Sequence, residues 1–132
     1  MGKKLPHWLL GFWPTMIVLL VIVYATWTPH PVDPDDIPKI PYVDKLIHAI
    51  MMGGLCSALM FDFYRHRHGQ LTLRTIIAFA ASVMAFSVLD EWLQGVLPIG
   101  RPSDVWDLVA DCIGCLVAVF AAPPVIKKVV KL

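Results

Sequence analysis

Four long apolar stretches, separated by short polar ones, dominate the sequence. They cover approximately residues 8–27, 46–64, 75–97 and 104–122, and a helix needs about 20 residues to cross a bilayer. Backbone groups in lipid must be hydrogen-bonded within the protein, and these stretches lack the alternation typical of a membrane barrel. The pattern therefore predicts an all-α integral membrane protein, a four-helix transmembrane bundle that forms a single domain over residues 1–132.

The composition agrees with a membrane protein. Hydrophobic residues make up 58% of the chain and charged residues only 16%, which is too few to cover the surface of a soluble domain of this length. The net charge of +1 gives no overall field that would attract nucleic acid. We therefore expect no nucleic-acid partner.

The positions of the basic residues predict the orientation of the helices. Eight of the eleven lie near the two termini and between the second and third stretches: Lys3, Lys4, Arg65, Arg67, Arg74, Lys127, Lys128 and Lys131. By the positive-inside rule, both termini are predicted to be cytoplasmic. The proline-rich segment 28–43 then forms an outer strap, which its five prolines should stiffen.

Acidic residues gather at the predicted outer ends of the helices. Asp44 and His48 are four residues apart and share one helix face, as do Glu91 and Gln94, which are three apart. Asp90 is turned about 100° away from Glu91. At the start of the fourth helix, Ser103 is expected to be the N-cap, with an acidic residue in the first turn.

Five residues of the fourth helix are spaced alternately by three and four positions and therefore lie on one helix face, which we predict to face inward. This stripe consists of Asp104, Asp107, Asp111, Gly114 and Ala118. The acidic part should meet other polar groups, and the small part should allow close packing of helices. Asp111 lies about 10 Å deeper than Asp104, where an ionised acid needs a proton or a partner such as Lys45, His48, Arg101 or a bound cation. The stripe therefore predicts an outward-facing polar pocket.

The residues expected to bind a ligand in this pocket come from the ends of three helices. They are Asp44, Lys45, His48, Glu91, Gln94, Arg101, Ser103, Asp104, Asp107 and Asp111.

Two spaced motifs resemble the signatures of the VanZ-like membrane protein family. The first is Asp44-Lys45-x-x-His48; the second is Glu91-x-x-Gln94 followed by Arg101-x-x-x-x-x-Asp107-x-x-x-Asp111-x-x-Gly114. The resemblance covers residues 29–114. The chain departs from the family at Asp111, where the family usually has Asn, so a simple amide role is not implied there.

The resemblance implies an envelope-related role at the outer face of a bacterial inner (cytoplasmic) membrane. The founding member of the family is associated with low-level resistance to the glycopeptide teicoplanin. We do not extend that property to this chain, because the resemblance identifies the family and not one activity.

Three functions are compatible with these patterns. The first is binding or remodelling of an envelope component, such as a lipid-linked headgroup or a cell-wall fragment. The second is a membrane enzyme acting on a lipid-linked substrate, with Glu91, Asp107 and His48 as candidate acid–base residues. In a metal-dependent version of that enzyme, the ligands would be His48, Glu91, Asp107 and Asp111.

The third function is a small proton-coupled transporter that would need to dimerise, with intramembrane acids as its relay. Membrane lipids are expected partners in all three cases. The sequence specifies no cofactor and leaves homo-oligomerisation open.

Overall fold

The computed structural model of the chain describes residues 11–28, 35, 42–67, 71–97 and 103–130. Its described residues form four α-helices and no strand: α1 (Trp13–Trp27), α2 (Val43–His66), α3 (Leu73–Val96) and α4 (Val105–Val129). Helices α2, α3 and α4 are long and apolar enough to cross a membrane, and the described part of α1 is a shorter apolar helix of 15 residues. The predicted all-α multi-pass membrane fold is confirmed.

Both ends of α4 differ from the sequence-based expectation. The residue that caps α4 is Asp104 rather than Ser103, because the Asp104 side chain accepts a hydrogen bond from the backbone N–H of Trp106 at 2.9 Å. Helix α4 also continues through Pro123 and Pro124 to Val129. Each proline removes one backbone donor, but Ile126 just beyond them is buried in the core and holds this last part of the helix against the bundle.

The side chains that face outward are those that lipid would solvate. Large apolar residues such as Leu20, Ile50 and Phe120 are exposed on the helix surfaces. The core between the helices is made of Ile22, Met52, Leu55, Cys56, Met60, Ile76, Val83, Cys115, Ala118 and Ile126. An apolar exterior of this extent is expected only where lipid covers it.

Among the described helices, α2 and α4 pack most closely against each other. A side chain added at Gly53 would lie 2.8 Å from the carbonyl oxygen of Gly114, and one added at Gly114 would lie 2.8 Å from the carbonyl carbon of Ala49. The two backbones therefore touch at positions where neither glycine has room for a Cβ. The predicted small, inward-facing part of the α4 stripe is confirmed, since Gly114 and Ala118 are both buried.

Two buried aspartates attach α1 to the other helices. Thr15 donates its backbone N–H and its hydroxyl to Asp62 of α2, at 2.9 and 2.6 Å. At the other end of α1, Thr26 and the indole N–H of Trp27 donate to Asp90 of α3, at 3.1 and 2.6 Å. Because lipid cannot replace these hydrogen bonds, they fix the position of α1 on the bundle.

The contact between α2 and α4 predicts opposite effects for two adjacent glycines. Gly53→Ala places a methyl group against the Gly114 backbone, and overpacking of this kind costs about 1–3 kcal/mol. Gly54→Ala is the matched control, because no atom lies within 4 Å of a Cβ at Gly54 and alanine favours the helix by about 1 kcal/mol. Thermal unfolding in detergent should show a lower midpoint for Gly53→Ala and an unchanged or higher one for Gly54→Ala. Equal midpoints would contradict the close approach.

Candidate functional site

Three helices bring their polar residues together at the end of the bundle where α2 and α4 begin and α3 ends. We call this the outer end, after its predicted location, and the group of side chains the outer cluster. Helix α2 contributes three residues, α3 contributes two, and the start of α4 contributes three. The outer cluster consists of Asp44, Lys45, His48, Ser87, Glu91, Asp104, Asp107 and Asp111.

Lys45 is the cation that holds the outermost acids. Its ammonium lies 2.7 Å from Asp104 Oδ2, 2.5 Å from Asp107 Oδ1 and 3.0 Å from Asp44 Oδ2. These contacts use all three N–H donors of a lysine. The hydrogen bond from Lys45 lowers the pKa of Asp104, which lies just before α4 begins. Lys45 therefore joins α2 to the start of α4.

His48 lies between two carboxylates of α4. Its Nε2 is 3.4 Å from Asp107 Oδ2, and its Nδ1 is 3.2 Å from Asp111 Oδ1. Ser87 of α3 donates its hydroxyl to the second oxygen of Asp111 at 2.5 Å. Asp111, which is only 1% exposed, is thus paired on both sides and fixes the orientation of the imidazole ring.

Glu91 is the least satisfied member of the outer cluster. It is 3% exposed. Its Oε2 accepts the backbone N–H of Asp104 at 3.1 Å and the Ser103 hydroxyl at 3.5 Å. Its Oε1 is buried and has no hydrogen-bond partner among the described residues. A buried polar atom left in this state costs on the order of 1–3 kcal/mol, so this oxygen indicates a missing proton or ligand.

The outer cluster is acidic. Five of its side chains are carboxylic acids, whereas Lys45 and His48 are its two basic groups. Burial in a membrane makes unbalanced charge expensive. The cluster therefore favours an additional positive charge or further hydrogen-bond donors.

Gln94 and Arg101 are not part of the cluster as described. The side-chain amide of Gln94 lies 3.4 Å from both the Thr26 carbonyl oxygen and Asp90 Oδ2. Gln94 therefore faces α1 and not α4, even though it is only three residues from Glu91. Arg101 lies outside the described residues, as does most of the proline-rich segment 28–43.

Comparison with known proteins assigns the family. The sequence matches the VanZ/LLP1 family over residues 12–127, which is most of the chain. The chain belongs to the VanZ/LLP1 family. No curated protein and no solved structure matches this VanZ/LLP1 chain.

The geometry brings the two VanZ-like motifs into contact. Lys45 and His48 from the first motif bind Asp107 and Asp111 from the second. Asp111 accepts hydrogen bonds from both of its neighbours, His48 and Ser87, and a carboxylate suits two donors. In this member of the VanZ/LLP1 family, the residue is therefore an acceptor between His48 and Ser87.

Ser87 is a member of the outer cluster that the sequence analysis missed. It is fully buried and hydrogen-bonded to Asp111. The signal was present in the sequence, because Ser87 is four residues before Glu91 and so shares its helix face. In a membrane helix, a polar residue on the face of a buried acid is a good candidate for its partner.

A long apolar groove adjoins the outer cluster. It has a volume of about 800 Å³ and is lined by α2 and α4 together with Pro14 of α1, with Leu46 and Ala49 at the outer end and Phe61 and Ile126 at the other. From Leu46 to Phe61 the groove follows α2 for about 22 Å. Leu46 directly follows Lys45, so one end of the groove lies beside the charged residues.

Removing the Lys45 cation should weaken the junction between α2 and α4. Lys45→Met leaves Asp104 and Asp107 without the cation that they share and therefore mutually repulsive, so we expect it to lower the free energy of unfolding near pH 7. Lys127→Met, at an exposed position of α4, is the control and should have little effect.

The loss in Lys45→Met should shrink as the pH falls. Because Lys45 lowers the pKa of Asp104 in the folded protein, the stability from this pair is present above the ordinary carboxyl pKa and is lost on acidification. Unfolding midpoints at about pH 7 and about pH 2, which is below the ordinary carboxyl pKa, measure the effect. A difference between variant and wild type that is the same at both pH values would show that repulsion between carboxylates is not its cause.

Proposed function

We propose that this VanZ-type membrane protein binds the headgroup of a membrane-anchored envelope component at its outer end. One observation carries the proposal: the exposed part of the outer cluster lies beside the end of the apolar groove. Asp44 and Asp104 have side chains 66% and 41% exposed, and Leu46 of the groove is next to Lys45. A polar site beside a long apolar groove fits an amphiphilic ligand.

The chemistry of the exposed acids favours a headgroup with hydrogen-bond donors. Asp44 and Asp104 are carboxylates that accept hydrogen bonds, and the Lys45 ammonium between them is already fully paired. An ammonium or hydroxyl group on the ligand would complement them, whereas an added anion would meet like charge. We therefore propose an amine- or hydroxyl-bearing headgroup, of the kind that lipid-linked cell-wall fragments also carry.

The groove supplies the apolar half of the ligand site. Its length of about 22 Å along α2 exceeds the thickness of one leaflet, about half of a 30 Å hydrocarbon core. One acyl or isoprenoid chain therefore fits lengthwise. We place the protein in the bacterial cytoplasmic membrane with the outer cluster on the external side, in agreement with the distribution of basic residues.

Lipid binding measured on the purified protein tests the proposal. In native mass spectrometry with a chelator present, the wild type should retain phosphatidylethanolamine in preference to phosphatidylcholine, whose quaternary headgroup has no N–H donor. The double variant Asp44→Asn/Asp104→Asn should bind phosphatidylethanolamine about tenfold more weakly, which corresponds to about 1.4 kcal/mol. Asparagine is also a good N-cap, so α4 should still begin at its normal position.

Asp90→Asn is the matched control for this experiment. Asp90 accepts hydrogen bonds from Thr26 and Trp27 of α1, and its replacement removes a carboxylate that is not a member of the outer cluster. Its lipid preference should equal that of the wild type. The proposal fails if the double variant keeps the wild-type preference, or if a dimer forms whose second copy fills the groove and excludes lipid.

A further inference from the structure

Three side chains of the outer cluster have the arrangement of metal ligands. His48, Glu91 and Asp107 each present a ligand atom, and these atoms all lie within 4.8 Å of one another. They come from three different helices, and none of them is widely exposed: the side chains of His48 and Asp107 are 12% and 11% exposed, and Glu91 is 3% exposed. The three donors thus surround a small, sheltered volume inside the bundle.

The separation between the ligand atoms of His48 and Asp107 fits a tetrahedral centre. Zinc–nitrogen and zinc–oxygen bonds are about 2.0–2.1 Å long. Two ligands of a tetrahedral ion are therefore about 3.4 Å apart. His48 Nε2 and Asp107 Oδ2 are separated by 3.4 Å, so a zinc ion could bind both without movement of either helix.

The surroundings of His48 also suit a metal ligand. Asp111 contacts Nδ1 at 3.2 Å, which favours a proton on Nδ1 and leaves the Nε2 lone pair available. Ser87 holds the other oxygen of Asp111 in place. A carboxylate that orients the far nitrogen of a histidine in this way is a common second shell of metal sites, and its loss typically costs 10–100-fold in affinity.

Glu91 supplies an independent reason to expect a ligand. Its Oε1 is buried without a hydrogen-bond partner among the described residues, although its Oε2 is bound by the start of α4. A cation between Glu91, His48 and Asp107 would satisfy this oxygen. It would also offset part of the negative charge of the outer cluster.

From these contacts we propose that the outer cluster holds one divalent metal ion, with His48, Glu91 and Asp107 as ligands and Asp111 and Ser87 as positioning residues. One nitrogen and two carboxylate ligands suit zinc better than magnesium or calcium, which prefer oxygen alone. Three protein ligands leave a fourth position open for water or for an oxygen atom of a ligand, as in catalytic rather than structural zinc sites. The site is independent of headgroup binding, which we assign to Asp44 and Asp104.

Metal binding to the full-length protein in detergent tests the inference. After removal of metal with a chelator, the wild type should bind one zinc ion per chain by calorimetry. With cobalt as a substitute, it should show the visible absorption typical of tetrahedral coordination by nitrogen and oxygen. Glu91→Gln should weaken zinc binding by about 100-fold or more, and Asp111→Asn or Ser87→Ala by about 10–100-fold with the cobalt spectrum altered.

Asp90→Asn is the matched control for Glu91→Gln. Asp90 is the neighbouring acid, equally buried, but it faces Thr26 and Trp27 of α1, so zinc affinity should not change. Circular dichroism and gel filtration verify that each variant is folded.

If the wild type binds no zinc, or if folded Glu91→Gln binds it as tightly, then the cluster is an ion-pair network without a metal site. The lipid assay is run with chelator present, so it can succeed or fail independently.

Discussion

The backbone contact between α2 and α4 is the constraint on which the outer cluster depends. Gly53 and Gly114 leave no space for a side chain, and Ala49 presses its carbonyl group against Gly114. His48 immediately precedes Ala49, and Asp111 is one helical turn before Gly114. A larger residue at either glycine would separate the helices, and the short distances from His48 to Asp107 and Asp111 would be lost. The small residues in the membrane thus determine the geometry of the polar residues above them.

The polar groups of this bundle are arranged according to what lipid cannot provide. Water would compensate a misplaced carboxylate in a soluble protein, but in a membrane helix each buried acid must find its partners within the protein. Asp107 and Asp111 obtain theirs from Lys45, His48 and Ser87. Only one of the two carboxylate oxygens of Glu91 is hydrogen-bonded within the described residues, and it accepts the backbone N–H of Asp104 at the start of α4. Among the acids of the outer cluster, Glu91 is therefore the one whose pairing with the described residues is incomplete.

Much of this arrangement could be predicted from the sequence. Apolar length predicted the membrane helices, and the spacing of Asp107, Asp111 and Gly114 predicted the face on which they lie, because both follow from helix geometry alone. The partners of Asp90 and Gln94 could not be predicted, since the rotation of α1 relative to α3 depends on packing between distant segments. The continuation of α4 past Pro123 and Pro124 was missed for a similar reason, because burial of Ile126 outweighs the local preference of proline to end a helix.

The two threonines that attach α1 have a consequence for the mobility of this helix. Thr15 and Thr26 are eleven residues apart, which is close to three full helical turns, so they lie on the same side of α1. Each is bound to an aspartate on a different neighbour, Asp62 on α2 and Asp90 on α3. A rotation of α1 about its axis would break both attachments at once, and sliding along the axis would misalign both. Helix α1 is therefore fixed to its neighbours at two points, and any opening of the bundle has to come from movement of the other helices.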